Sequence, residues 1–216
     1  MLARQLGLFG HEEPEFDAEF RRHRRIELAD GAWLDLAPAW LGGHARLFET
    51  LLATLQFRTA TRKMYDREVD VPRVHAQLPD DGPVLPIVSR MQAALSTRYG
   101  EDFERVSVAL YRNGDDSVAF HGDYVARRLP EALVASVSLG APRRFLIRKA
   151  GGGPSLPLSL GSGDLLIMGG TAQRTHQHAI PKVARAEPRM VVMFRPVWLE
   201  PGSDEARAAS GFDWRG

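Results

Sequence analysis

Between Val106 and Trp198 the chain reads VSVALYR (106–112), SVAFHGD (117–123), ALVASVSLG (132–140), RRFLIRK (143–149), PLSL (157–160), DLLIMGG (164–170), HQHAIPKV (176–183) and RMVVMFRPVW (189–198). Turn-forming stretches separate these runs: NGDD at 113–116, LPE at 129–131, GAP at 140–142, AGGGP at 150–154, GSGD at 161–164 and RAEP at 185–188. Short apolar and alternating runs between glycine, proline and Asp clusters are strand grammar. Eight short strands at this spacing predict a β-sandwich or jelly roll.

The residues before this block read differently. Pro38 to Leu55 predicts a helix, because Trp40, Leu41, Leu47, Phe48, Leu51, Leu52 and Leu55 recur at spacings of three and four. Gly42-Gly43 falls within its first turn. A second helix starts after Pro86, aligns Ile87, Met91, Ala94, Leu95 and Tyr99, and stops at Gly100. The expected architecture is therefore α+β, with N-terminal helices packed on one sheet of a double-stranded β-helix (jelly roll). Its expected parts are a charged extension over 1–30, a helical and recognition region over 31–102, a jelly-roll core over 103–200 and a tail over 201–216. Within the extension, RRHRR at 21–25 reads as a solvated face, a flexible arm or a contact to nucleic acid.

Composition narrows the chemistry. The 216 residues contain no cysteine, which removes disulfides, thiolate catalysis and cysteine metal sites. A transition metal would have to be held by nitrogen and oxygen. A formal charge of +1 neither requires nor excludes a polyanionic partner. No apolar run reaches the ~18 residues of a spanning helix, and MLARQLGLFGHEEPEF turns acidic too early for a signal peptide. The default expectation is a cytoplasmic protein with no membrane partner, acting as a monomer.

His121 and Asp123 stand two apart at the end of a predicted strand, so imidazole and carboxylate would share a face. By itself an H-x-D pair also fits a hydrogen-bonded His–Asp on a surface strand. A third nitrogen ligand would come from His176 or His178 on a later strand. Two histidines and a carboxylate form the facial triad of non-heme iron(II) oxygenases. Arg189 and Arg195 are six apart, an even step that turns both guanidinium groups to the same side. Two inward arginines in an apolar strand are costly unless an anion meets them, and a dicarboxylate matches the guanidinium fork. Pairing of one arginine with a core Asp, with the other reaching solvent, is the competing reading.

YRNGDDSVAFHGD (111–123), ASVSLGAPRRF (135–145), GDLLIMGG (163–170), HAIP (178–181) and PRMVVMFR (188–195) follow in an order that resembles the AlkB family of nucleic-acid dealkylating dioxygenases. The resemblance is close over about 104–198; MYDR at 64–67 and VPR at 71–73 resemble the family's nucleotide-recognition region more loosely. It implies Fe(II) held by His121, Asp123 and His178, with His176 left to a supporting or substrate-side place. It implies 2-oxoglutarate gripped at its far carboxylate by Arg189 and Tyr111, with Arg195 near the metal-chelating end. It further implies O2 as co-reactant, alkylated DNA or RNA as substrate, and succinate, CO2 and an aldehyde as products.

The chain departs from the family pattern at several places. Ala109 and Val191 stand where many members carry Asn, so hydrogen bonds to the cosubstrate are lost or rebuilt. Tyr124 and Val125 follow H-G-D where repair members place an acid, and Leu78 lies where a base-stacking aromatic is common. Tyr65 or His75 is the expected substitute wall for a flipped base, and Tyr124, Arg127 and Arg128 the expected strand contacts. Two other functions compete: the same cofactor chemistry on a small molecule or protein side chain, and a non-catalytic module binding nucleic acid through Arg21–Arg25, Arg127, Arg128, Arg143 and Arg144.

Overall fold

Along the strand Arg189–Arg195, Met190, Val192 and Phe194 are fully buried on one face, while Arg189, Val191, Met193 and Arg195 occupy the other. Apolar residues on both faces mean that a layer covers each side of this strand. The structure, a computed structural model, describes residues 12–64, 67–79, 81–123 and 126–198.

Among these, the elements run β1 (Glu15–Phe16), β2 (Arg24–Glu27), β3 (Ala32–Ala37), β4 (Leu41–Gly42), α1 (His44–Thr54), β5 (Arg58–Met64), β6 (Arg67–Gln77) and α2 (Leu85–Tyr99). The second half gives β7 (Arg105–Tyr111), β8 (Val118–His121), β9 (Val134–Gly140), β10 (Arg143–Lys149) and β11 (Leu156–Leu160). Then follow β12 (Leu165–Gly170), the helical turn α3 (Ala172–Thr175), β13 (His176–Ile180) and β14 (Arg189–Arg195). A large sheet has the order β2-β3-β12-β9-β14-β7-β6-β5 and a smaller one β11-β10-β13-β8. All of their pairings are antiparallel.

Two cores result. Leu47, Phe48 and Leu51 of α1 and Val88, Met91 and Leu95 of α2 pack with Val137, Leu139, Met190 and Phe194 on the outer face of the large sheet. Leu34, Ala109, Tyr111, Val191 and Leu166 of its inner face pack with Phe145, Ile147 and Ile180 of the small sheet. This is the expected jelly roll with helices on one sheet. No described helix is long and apolar enough to cross a membrane.

The first helix begins later than its periodicity predicts. Trp40 and Leu41 are buried, 2% and 1% exposed, but lie before the helix. Gly43 adopts φ +58 and a Cβ there would sit 2.4 Å from the Glu13 carbonyl oxygen, so the helix starts only at His44. The second helix follows expectation, ending with Gly100 at φ +68. Residues 24–77 also contribute four strands to the large sheet, which helical periodicity did not reveal. Part of the basic run at 21–25 is therefore sheet edge: Arg25 donates to both carboxylate oxygens of Asp35, at 2.7 and 2.9 Å, and stacks 3.8 Å over Trp33.

Asp35, 1% exposed, interrupts the apolar pattern AWLDLA by pointing outward under α2, where Tyr99 also donates to it at 3.0 Å. Burial alone would raise its pKa, but the bonds from Arg25, His23 and Tyr99 hold it below the usual carboxylate value. A folded-state pKa below the unfolded ~3.9 stabilises the fold above that pH, and the contribution is lost as pH falls through the folded value. We expect Asp35→Asn to lose roughly 1–3 kcal/mol at neutral pH and to flatten the fall in stability below about pH 4. Urea unfolding across pH checks this; equal stability of variant and parent at pH 7 would contradict it.

Candidate metal and cosubstrate site

Strands β8 and β13 are neighbours in the small sheet, and His121 pairs directly with His178 across them. Their imidazole rings lie 4.3 Å apart. Phe145 of β10 stacks on His178 at 5.5 Å and 16°, backing the ring from within the core. The Nδ1–H of His121 is shared between the carbonyl oxygens of Ala119 (2.9 Å) and His178 (3.1 Å). That leaves Nε2 with its lone pair turned to the site, as a metal ligand requires.

Asp123 reaches the site by a different route from strand alternation, since β8 ends at His121. Its backbone N–H donates to the side-chain oxygen of Gln173 at 2.8 Å. Gly122 makes the approach possible: a Cβ there would come within 2.3 Å of the Gln173 carbonyl oxygen. Gln173, 2% exposed on α3, is thus a positioning residue that no sequence motif announced.

Ligand atoms of His121, Asp123 and His178 all lie within 4.8 Å of one another. Asp123 Oδ1 faces His121 Nε2 at 3.7 Å, while Oδ2 accepts from Arg195 Nε at 3.0 Å. Burial alone would raise the Asp123 pKa, but the Arg195 guanidinium and the two imidazoles hold it well below the carboxylate range. Burial lowers His121, and burial with the neighbouring His121 pushes His178 down to about 3. An ionised carboxylate and two neutral imidazoles, converging from one side, fit a divalent iron with its remaining positions open. His176 is not part of this convergence; its Nδ1 meets Thr175 Oγ1 at 2.8 Å.

A second polar cluster lines the inner face of the large sheet. Arg189 pairs directly with Tyr111 across β14 and β7, its guanidinium 5.4 Å from the Tyr111 ring. It is 2% exposed and donates through Nη2 to Ser138 Oγ at 3.0 Å, while Nε and Nη1 have no partner among the described residues. Burial brings its pKa down to about 10. Two orphaned donors on a buried guanidinium fit a ligand carboxylate. At the other end of β14, Arg195 also donates to Ser107 Oγ at 3.0 Å, so it bridges Ser107 and Asp123.

His75, expected as a wall for a flipped base, lies inside this cluster. It is 8% exposed, opposite Ala109, and its Nε2 accepts from Arg73 Nε at 3.0 Å. Burial and Arg73 push its pKa down to about 3. Ala109 and Val191 face each other directly, so the two departures from the family pattern form one apolar pair. Arg143 is no surface cation: it is 4% exposed and donates to the carbonyls of Asn113, Asp116 and Pro181. Arg128 and Arg144 are exposed; Tyr65, Tyr124 and the side chain of Arg127 lie outside the described residues.

A family model described as the 2OG-Fe(II) oxygenase superfamily matches residues 41–204. The chain is 32% identical over 126 residues to the human alpha-ketoglutarate-dependent dioxygenase alkB homolog 3, covering 54% of this chain. It spans only 44% of that relative's length. It is 28% identical over 206 residues to the human protein named DNA oxidative demethylase ALKBH2, covering 82% of this chain and 77% of the relative. Among solved structures, an oxidoreductase of the 2OG-Fe(II) oxygenase family from Burkholderia pseudomallei aligns with a TM-score of 0.54 at 13% identity, over 77% of this chain and 86% of the other. That last likeness is one of fold.

Proposed function

The chain belongs to the 2OG-Fe(II) oxygenase superfamily, and from that premise we propose that it removes alkyl groups oxidatively from base nitrogens of DNA or RNA. The observation carrying this reading is the likeness to a named DNA oxidative demethylase across 82% of the chain, while His121, Asp123, His178 and Arg189 all fall within residues 41–204 that match the family model. When bound, iron and 2-oxoglutarate would supply the dioxygen chemistry, one oxygen atom going to succinate, formed with CO2, and the other to the alkyl carbon. The hydroxylated carbon then leaves the base nitrogen as an aldehyde.

The protein's own contribution is positional. His121, Asp123 and His178 would hold the iron, with Arg195 and Gln173 holding Asp123 in place. Arg189 would take the far carboxylate of 2-oxoglutarate through Nε and Nη1, beside Tyr111. The apolar wall of Ala109, Val191 and Phe145 keeps water from this side of the site. A cytoplasmic monomer remains part of the proposal; the cysteine-free chain is compatible with a reducing compartment.

A panel of methylated and etheno-modified oligonucleotides, incubated with Fe(II) and 2-oxoglutarate and scored by mass spectrometry, tests the substrate class. Loss of the alkyl mass with matching succinate is the expected result. Succinate formation with every oligonucleotide left intact would transfer the reading to a small molecule or protein side chain.

Strand contact gives a smaller prediction. Arg127 and Arg128 follow the H-G-D segment at the site and would neutralise phosphates without reading sequence. Arg127→Ala/Arg128→Ala should weaken oligonucleotide binding and reduce its salt slope by up to about two units. Decarboxylation of 2-oxoglutarate without substrate should change little. An unchanged salt series would remove both arginines from the proposed interface.

A further inference from the structure

Tyr111 is 3% exposed, and its hydroxyl accepts a hydrogen bond from Arg73 Nη1 at 2.9 Å. A phenolic oxygen has one proton to donate. With Arg73 donating into the oxygen, that proton must point elsewhere, and no acceptor for it is present among the described residues. It therefore joins the two orphaned donors of Arg189 beside it. Three donors without a protein acceptor, in one buried place, call for an acceptor-only partner such as a carboxylate.

Arg73 is itself held. Alternation along β6 sends Val74 and Ala76 to the helix-side core, and Arg73 and His75 to the inner face. There Arg73 Nε donates to His75 Nε2 at 3.0 Å. The row containing His75 runs directly across the sheet through Ala109 and Val191 to Ser138. Its two central members bring no hydrogen-bonding side chain. The polar groups at its ends each anchor a different arginine, His75 for Arg73 and Ser138 for Arg189.

We propose that Arg73 and His75 are positioning residues for the cosubstrate: His75 orients Arg73, and Arg73 sets Tyr111 as an obligate hydrogen-bond donor to the 2-oxoglutarate carboxylate held by Arg189. This rests on the reading that Arg189 and Tyr111 bind 2-oxoglutarate. No bond is made or broken at these residues. Their effect falls on cosubstrate affinity and leaves the metal ligands alone.

Titration calorimetry of 2-oxoglutarate into the Mn(II)-loaded full chain tests it, with Mn(II) affinity and thermal midpoint measured alongside. Tyr111→Phe should weaken 2-oxoglutarate roughly tenfold or more, the scale of one hydrogen bond to a charged group. Arg73→Met should weaken it to a similar extent, and the double variant should bind no more weakly than the weaker single variant. His75→Leu should reproduce the loss, whereas His75→Gln, which keeps an acceptor, should recover most of it at equal stability. That second pair keeps the proposal testable if Arg73→Met does not fold. Wild-type affinity in Arg73→Met overturns the proposal, as does a double variant whose losses multiply, because Arg73 would then act independently of Tyr111. Failure of the parent protein to bind 2-oxoglutarate would instead overturn the cosubstrate reading itself.

Discussion

Asp123→Ala should abolish the conversion of 2-oxoglutarate to succinate while leaving the protein folded. The carboxylate is the single anionic group among the three converging ligands, so its removal leaves two neutral imidazoles to hold a divalent cation. It also frees Arg195, whose Nε now donates to Oδ2, beside the place where the cation would sit. Loss of a ligand and exposure of a like charge both weaken the metal, and the effects reinforce one another. The fold should survive because Asp123 lies beyond the end of β8 and outside both hydrophobic cores. Succinate yield, bound iron and circular dichroism should be read together. A companion pair separates the histidines: His178→Ala should lose iron and His176→Ala should retain it, given that the His176 ring is engaged with Thr175. The reverse result would displace His178 from the ligand set, and full turnover by Asp123→Ala would displace the triad.

For Arg189→Ala the expected loss is cosubstrate affinity, weakened by about 2–5 kcal/mol, the scale for breaking a buried charged pair. The guanidinium is enclosed, and among the described residues only its Nη2 has a hydrogen-bond partner, which leaves Nε and Nη1 for a ligand. Arg189→Lys should rescue only in part. An ammonium restores charge, but it cannot present two parallel donors to one carboxylate while still reaching Ser138. Calorimetry with 2-oxoglutarate on the Mn(II)-loaded protein measures both variants. Parent-like affinity in Arg189→Ala would remove this residue from the cosubstrate site. The variant has a second, opposing effect: it takes an unpaired buried cation out of the core, so thermal stability without ligand should fall little.

The chain's local patterning determined a good deal. Alternation and turn chemistry between Val106 and Trp198 located all eight strands of the second half, because short apolar or alternating runs there are separated by stretches rich in glycine, proline and Asp. The even step from Arg189 to Arg195 placed both guanidinium groups on the inner face, since side-chain direction in a strand depends only on parity. Motif order pointed to the triad and to the family.

What tertiary structure alone decided is how distant segments meet. Strands β3 and β6 escaped notice because Asp35, Pro72 and Arg73 break their apolar alternation; Asp35 is tolerated only because Arg25 and Tyr99 arrive from other elements. Parity could not choose between His176 and His178, since the two share it, and motif resemblance alone favoured His178; the ladder adds the physical difference, with His178 paired to His121 while His176 Nδ1 lies 2.8 Å from Thr175 Oγ1. Asp123 converges on the histidines because Gln173, fifty residues away, holds its backbone at a glycine contact. His75 meets Arg73 and lies opposite Ala109 because β6 pairs with β7, a neighbourhood that its place in the sequence did not reveal. Periodicity reports the face on which a side chain lies; only sheet register, which depends on long-range pairing, decides which partner it meets there.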